Sequence, residues 1–222
     1  GLDIHQISRE TLSERLGYLQ QDHRLFQGTL RENLLIGMAA PNDDILQDTL
    51  NRTGLINLVS SHSSGLDLPI SEGGKGLSGG QKQLVAFTRL LLTKPDVFLL
   101  DEPTASMDNR QEQRCLQVLR QELTQGQTFI VATHKTALLD LVDRLIIMDN
   151  QRIIIDGPKQ AVLDELRKND QARNKTTVQQ KDKIINKTNQ PSPEHADNTK
   201  PAASRVRNIS IKPTKAKNST DD

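Results

Sequence analysis

The sequence predicts an α/β fold with a mainly parallel core sheet. Val97 to Leu100 and Thr128 to His134 are apolar runs of strand length, as in strands buried on both faces of a parallel sheet. Each precedes a segment of helical spacing, Asn109 to Leu123 and Thr136 to Val142, and this alternation supplies the crossovers that parallel strands need. Nearly every Leu-, Ile- and Val-rich run lies before Lys168, after which Lys, Asn, Thr, Gln, Ser, Asp and Pro dominate. Residues 1–167 are therefore expected to form the globular domain, and residues 168–222 a disordered, mildly basic tail.

The elements follow in order. Leu16 to Gln20 is a short strand candidate, and a loop leads from it to a helix around Thr29 to Leu35. A second helix begins at the cap-like pair Asn42 and Asp43. Leu66 to Gly80 is punctuated by Pro and Gly and reads as loop. Gln81 to Thr93 places Leu84, Val85, Thr88, Leu91 and Leu92 at helical positions, and Pro95-Asp96 stops it. Arg144 to Gly157 reads as a hairpin turning at Asn150-Gln151. Pro158 stands near the start of a last helix. In the tail, Ser204 to Pro213 mixes polar and apolar residues in a way that suits pairing with an edge strand.

Composition excludes several classes. A net charge of +1 over 222 residues offers no strong nucleic-acid footprint. One cysteine, Cys115, cannot build an internal disulfide framework and reads as a packing residue. No apolar run approaches the roughly 20 residues of a membrane span. The chain opens Gly-Leu-Asp-Ile without Met, as if a strand or turn were already in progress, and reads as a piece of a longer protein.

The residues that can carry chemistry gather at strand ends. Asp101 and Glu102 follow the Val97 to Leu100 run, at the sheet edge where open α/β folds bind ligands. Asp101 suits a Mg²⁺ site and Glu102 a general base that polarises a water; a solvated acidic pair is the plain alternative. His134 ends the next run, where an imidazole can meet a phosphate oxygen or the attacking water, or serve structure alone. Gln21 follows the first strand. Asp108 is equally a helix cap and a loop residue with a function. Gly79-Gly80 at the threshold of a helix requires either a close approach to the backbone or a shape that a Cβ forbids, and a helix N-terminus suits an anion.

Taken in order, Gln21, "LSGGQ" at Leu77 to Gln81, "VFLLDEP" at Val97 to Pro103, "SMD" at Ser106 to Asp108 and His134 resemble the nucleotide-binding domain of ATP-binding-cassette (ABC) proteins. The resemblance covers residues 1–167 and implies a P-loop NTPase-like fold whose helical subdomain spans about residues 22–95. It implies that Gln21 is the glutamine-loop residue, Asp101 the Mg²⁺-associated Walker B aspartate, Glu102 the catalytic base, Asp108 the D-loop aspartate and His134 the switch histidine. Ser78, Gly79, Gly80 and Gln81 would face the γ-phosphate of an ATP held by an opposing domain in a head-to-tail dimer. Ser71 to Gly74 would face a membrane domain. The implied cofactors are ATP and Mg²⁺.

The sequence departs from that family at its start. It contains no G-x-x-x-x-G-K-[ST], the loop that cradles phosphates, so the chain is expected to bind ATP poorly and to hydrolyse it negligibly alone. "LFQGTLREN" at Leu25 to Asn33 is similar to exporters whose ATPase is fused behind a membrane domain. Within these, Met107-Asp108-Asn109 resembles type I secretion permease/ATPases, which implies polypeptide cargo, a periplasmic adaptor, an outer-membrane channel and a place on the cytoplasmic face of the bacterial inner membrane. Two other readings stand beside this one. They are a non-catalytic remnant that supplies only the signature side of an ATP sandwich, and a soluble ABC ATPase without membrane halves.

Overall fold

The Val97–Asp101 strand, β4, is the centre of the sheet. The computed structural model describes residues 3–123 and 126–168. They belong to one unit, Gly1–Lys168, and Asn169–Asp222 is a second. The expected tail and the Ser204 to Pro213 strand lie outside the described residues.

A short helix α1, Arg9–Arg15, capped by the Ser8 hydroxyl, runs into β1, Leu16–Leu19. β1 pairs in parallel with β4, and β4 in parallel with β5, Thr128–Ala132. The order β1-β4-β5 advances in one direction. Right-handed crossovers then place both connecting helices, α5 (Gly79–Leu92) and α6 (Asn109–Glu122), on one face. Gly17 shows how close that face packs: an added Cβ there would stand 2.4 Å from Leu90 Cδ1 and 2.6 Å from the Pro95 ring. Phe98, Leu100, Phe87, Leu116 and Leu119 fill the layer between sheet and helices.

The opposite face is open. Tyr18, Leu99 and Ile130 lie in register across the three strands, and Tyr18 and Ile130 are 56% and 55% exposed. This corrects the expectation that Val97 to Leu100 is buried on both faces. The continuous apolar run reflects two apolar faces, of which the described residues cover one.

Between β1 and β4 comes a mainly helical insertion. β2 (Gly28–Thr29) pairs antiparallel with β3 (Pro69–Ile70). α2 (Leu30–Leu35) begins with a reciprocal cap between Thr29 and Glu32. α3 (Asp43–Thr53) starts on the Asn42 side chain and ends at Gly54, whose left-handed φ of 81° closes the helix. α4 (Ile56–Ser60) follows. α3 docks on both crossover helices: the Thr88 and Thr53 hydroxyls are 3.1 Å apart, Gln111 Nε2 donates to the Thr53 carbonyl at 2.9 Å, and Arg52 pairs with Glu122.

Beyond β5 lies a 3-10 turn, Thr136–Leu141, where a helix over 136–142 was expected. β6 (Arg144–Asp149) and β7 (Arg152–Pro158) then form the expected hairpin. Asn150 and Gln151 both have positive φ, 46° and 62°, as a tight two-residue hairpin turn demands. Pro158 ends β7, and the last helix, α7, spans 159–168.

The one-sided sheet has a measurable consequence. Phe98→Ala, on the buried face, is expected to cost about 3–5 kcal/mol. Tyr18→Ser, on the open face, should change stability by no more than about 0.5 kcal/mol. Denaturant unfolding of both variants checks this, and equal losses would show that both faces are covered.

Candidate functional site

Parallel pairing brings three strand ends to one edge. Leu19 is opposite Leu100, and Asp101 opposite Ala132. Gln21 and Glu102 each stand two residues beyond the first pair, and His134 two residues beyond Ala132. β5 therefore stops short of the expected Thr128 to His134, and His134 sits in the loop that follows.

Glu102 is the focus of this edge. Its backbone φ of 46° is sparsely populated for a side chain without special tolerance of the left-handed region. The N–H donates to the Ala132 carbonyl at 2.9 Å. The carboxylate turns toward the residues after β5: Oε1 accepts from the His134 N–H at 3.0 Å and lies 2.7 Å from His134 Nδ1, while Oε2 accepts from the Thr133 hydroxyl at 3.1 Å. The Glu102 side chain is 17% exposed and that of His134 77%. Burial alone pushes the Glu102 carboxyl up; the hydrogen bonds from His134 and Thr133 outweigh it and hold the group below its ordinary value of 4.5. An ionised carboxylate only accepts, so the Nδ1 proton belongs to His134, and Nε2 is left for another partner. Of the roughly four acceptor positions of a carboxylate, three are used. One remains for a water, as general-base chemistry needs.

An ion pair between the partly buried Lys135 and the buried Glu112 fixes the loop that carries His134. Lys135 Nζ lies 2.9 Å from Glu112 Oε1 and donates to the Thr104 carbonyl at 2.8 Å, and the Thr104 hydroxyl donates to the same Glu112 oxygen at 2.7 Å. Neither Glu112 nor Lys135 stands out in the sequence. A Glu four residues after Asp108 and a Lys after His134 look like solvated helix and loop charges until the fold brings them together.

The signature segment answers the question of its paired glycines. α5 starts at Gly79 rather than Gln81, so both glycines lie in its first turn. Ser78 is the N-cap: its hydroxyl accepts from the Gln81 N–H at 3.2 Å, and Gln81 Oε1 accepts from the Ser78 N–H at 2.8 Å. A Cβ on Gly80 would stand 2.8 Å from the Ser106 carbonyl oxygen, whereas one on Gly79 would meet nothing closer than 3.5 Å. The close approach at Gly80 is thus made by the chain's own 102–108 loop. Asp108 caps α6 by accepting from the Gln111 N–H at 2.8 Å, and this leaves its second oxygen open to another role. Met107 is buried with its sulfur 3.5 Å from Cys115 Sγ, so its identity answers a packing demand. Burial pushes the Cys115 thiol up to about 12, in keeping with an inert packing residue.

The exporter-like segment Leu25 to Asn33 meets Ser71 to Gly74, which is expected to face a membrane domain. Leu25 O accepts from the Gly73 N–H at 2.9 Å, Glu72 Oε2 accepts from the Gln27 N–H at 3.1 Å, and Phe26 and Ile36 remain 46% and 44% exposed. Asn33, almost fully buried, binds both backbone groups of Phe26, at 2.8 and 2.9 Å, and so shapes the loop after Gln21.

The hydrogen bonds of the site join Glu102 to His134 and Thr133. Gln21, exposed, and Asp101, half-buried, stand at the same edge outside that set. Among the described residues no three His, Cys, Asp or Glu side chains are placed to hold a metal ion by themselves. A lone Asp101 carboxylate still fits Mg²⁺, which keeps several waters and takes further oxygens from substrate phosphates.

Fold and site define the catalytic-edge portion of a P-loop NTPase-like nucleotide-binding domain. Residues 1–105 match the family profile described as ABC transporter. The uncharacterized ABC transporter ATP-binding protein YwjA of Bacillus subtilis is 34% identical over 164 residues, 74% of this chain and 28% of that protein. The ATP-dependent lipid A-core flippase of Francisella novicida is 30% identical over 166 residues, 74% of this chain and 28% of that protein. The glutathione/L-cysteine transport system ATP-binding/permease protein CydC of Haemophilus influenzae is 33% identical over 155 residues, 69% and 27% of the two chains. The solved structure of a bacterial Atm1-family ABC exporter with ATP bound superposes with a TM-score of 0.68 at 28% identity, covering 74% of this chain and 29% of that one. The chain is part of an ABC transporter nucleotide-binding domain, and it spans less than a third of the length of these relatives.

The geometry separates the two glycines. Gly79→Ala is expected to be neutral or to stabilise by up to about 1 kcal/mol, because its Cβ has room and glycine weakens a helix. Gly80→Ala should cost about 1–3 kcal/mol through the clash with Ser106. Thermal unfolding of the two variants checks the order. The depressed Glu102 carboxyl sets a pH dependence as well. Its contribution to stability is complete above pH 4.5 and is lost as pH falls through its folded value. The advantage of the native chain over Glu102→Gln should therefore be largest near neutrality and shrink on acidification, a trend that unfolding curves at several pH values would show or refute.

Proposed function

We propose that this chain provides the signature side and the general base of an ATP-hydrolysing domain that powers an ABC exporter. The observation that carries the reading is the 2.7 Å contact of Glu102 with His134 at the sheet's ligand edge, on a loop packed against the signature helix. Glu102 takes a proton from a water as the water oxygen attacks the γ-phosphorus; the bond from that phosphorus to the bridging oxygen breaks and ADP leaves. His134 holds the carboxylate through Nδ1 and offers Nε2 to the phosphate. Ser78 and the first-turn N–H groups of Gly79 and Gly80, with Gln81 fixing the cap and Asp108 beside them, address the γ-phosphate of an ATP held by an opposing domain that has a phosphate loop. Asp101 with Gln21 would hold Mg²⁺, whose role is to neutralise charge on the phosphates.

Hydrolysis resets a clamp of two such domains. The joined segments around Leu25 to Asn33 and Ser71 to Gly74, with Phe26 and Ile36 exposed, are the surface we assign to a membrane domain of the same full-length chain. No helix among the described residues is long and apolar enough to cross a membrane. The full protein then works at the cytoplasmic face of the inner membrane. Polypeptide cargo, with a periplasmic adaptor and an outer-membrane channel, is the finer form of this reading. Its support is the Met107-Asp108-Asn109 resemblance, while the named relatives include a lipid flippase and a glutathione/L-cysteine transporter.

Complementation tests the reading. Alone, the chain should show negligible ATP turnover; turnover that Glu102→Gln abolishes would overturn the view that another segment must bring the phosphate loop. Mixed with a relative's domain that has an intact phosphate loop and base but a disabled signature, the chain should restore hydrolysis. Ser78→Ala should then lower that rate by roughly a hundredfold.

A further inference from the structure

Gln83 is polar, lies on the inward face of α5 and is 1% exposed. A buried carboxamide is costly unless both of its ends are bonded. Here both are: Nε2 donates to the Glu102 carbonyl at 2.8 Å, and Oε1 accepts from the Ser106 N–H at 2.8 Å. The two backbone groups belong to opposite ends of the turn that carries the general base. The turn itself contains the left-handed Glu102, and a conformation of that kind persists only where its surroundings over-determine it. The Gly80 approach to the Ser106 carbonyl is a second restraint between the same two segments. Among the described residues, the Gln83 amide is the side-chain hydrogen bond from α5 to Glu102. On the opposite side, the Lys135–Glu112–Thr104 network ties the His134 loop to α6.

We propose that Gln83 is a positioning residue that sets the 102–106 turn from the signature helix, so that the phosphate-facing start of α5 and the Glu102 carboxylate move as one body. The proposal rests on the ATP-hydrolysing reading for its kinetic consequence and on the structure alone for its geometry. In that reading Ser78 and Glu102 serve different nucleotides of a paired assembly, and the Gln83 amide is a direct hydrogen-bonded link between the helix that starts after Ser78 and the backbone of Glu102. A nucleotide engaged at Ser78 then bears on the placement of the base at the other site.

The test uses the 222-residue chain, isotopically labelled for nuclear magnetic resonance, with the His134 imidazole nitrogens as reporters of the Glu102 contact. Gln83→Met keeps the side-chain length and removes both hydrogen bonds; it is expected to shift the His134 ring signals and to speed amide exchange at Ser106. Gln83→Glu keeps the acceptor for Ser106 and loses the donor to Glu102. It is expected to shift His134 while Ser106 stays protected, and it decides the matter should Gln83→Met not fold. Leu58→Ala, a core truncation in α4, controls for lost stability and should leave the ring signals in place. In the complementation assay the relative's domain supplies the base, so both Gln83 variants should keep hydrolysis within about twofold of the native chain, where Ser78→Ala lowers it roughly a hundredfold. Ring signals unmoved by either Gln83 variant would overturn the proposal, as would a loss of hydrolysis as deep as that of Ser78→Ala, which would place the role of Gln83 at the signature end of α5 instead. Moved ring signals in a chain that supports no turnover would uphold the Gln83 link and refute the functional reading instead.

Discussion

The hydrogen bond from the Glu102 N–H to the Ala132 carbonyl, 2.9 Å long, is the joint on which the rest of the site depends. It is the last rung between β4 and β5. It holds Glu102 in a backbone conformation that swings the chain away from the strand direction while the carboxylate stays beside the residues after β5. Without it the chain would continue as strand or relax to an ordinary turn, and the carboxylate would face water. With it, Thr133 and His134 bind the carboxylate from one side and the carboxamide of Gln83 binds the Glu102 carbonyl from the other. A single left-handed residue is thus stabilised by neighbours on two different elements.

The signature segment reads differently once folded. A Ser-Gly-Gly-Gln sequence before an apolar run looks like a site for an anion, and its helix start remains suited to one. The packed structure adds an internal reason for one of the glycines, because the Ser106 carbonyl occupies the space of a Gly80 side chain. Ser78 and Gln81 are joined in a reciprocal cap, which makes the helix start rigid. A rigid start suits an element that must present N–H groups to a phosphate without reorganising.

The sheet is asymmetric, and this follows from its strand order. Successive strands added in one direction by right-handed crossovers put every connecting helix on the same side. α5 and α6 accordingly bury Phe98 and Leu100, and the row Tyr18, Leu99, Ile130 is left without a helix layer among the described residues. The apolar character of that row is the mark of a layer that α5 and α6 cannot provide. Met107, read in the sequence as a subfamily mark, also fills a gap against Cys115.

Periodicity and composition alone determined the α/β class, the order of the three core strands and their two crossover helices, the hairpin turn at Asn150-Gln151 and the placing of Asp101 and Glu102 at a strand end, because these follow from local patterns of side chains along the backbone. Motif order determined the family. Tertiary structure decided the rest. Whether His134 touches Glu102 depends on the β4–β5 register, and the β5 end fell two residues earlier than its apolar run suggested. Gln83, Glu112 and Lys135 carried no sequence signal as site residues, since an isolated Gln, Glu or Lys at a helical or loop position is ordinarily solvated. Only the folded chain shows that they are bonded to residues 19 to 31 positions away or, for Glu112, buried against a loop from the next strand. Contacts between segments distant in sequence have no period to read, and that is why Asp101, Glu102 and His134 drew attention in the sequence and the residues bonded around them did not.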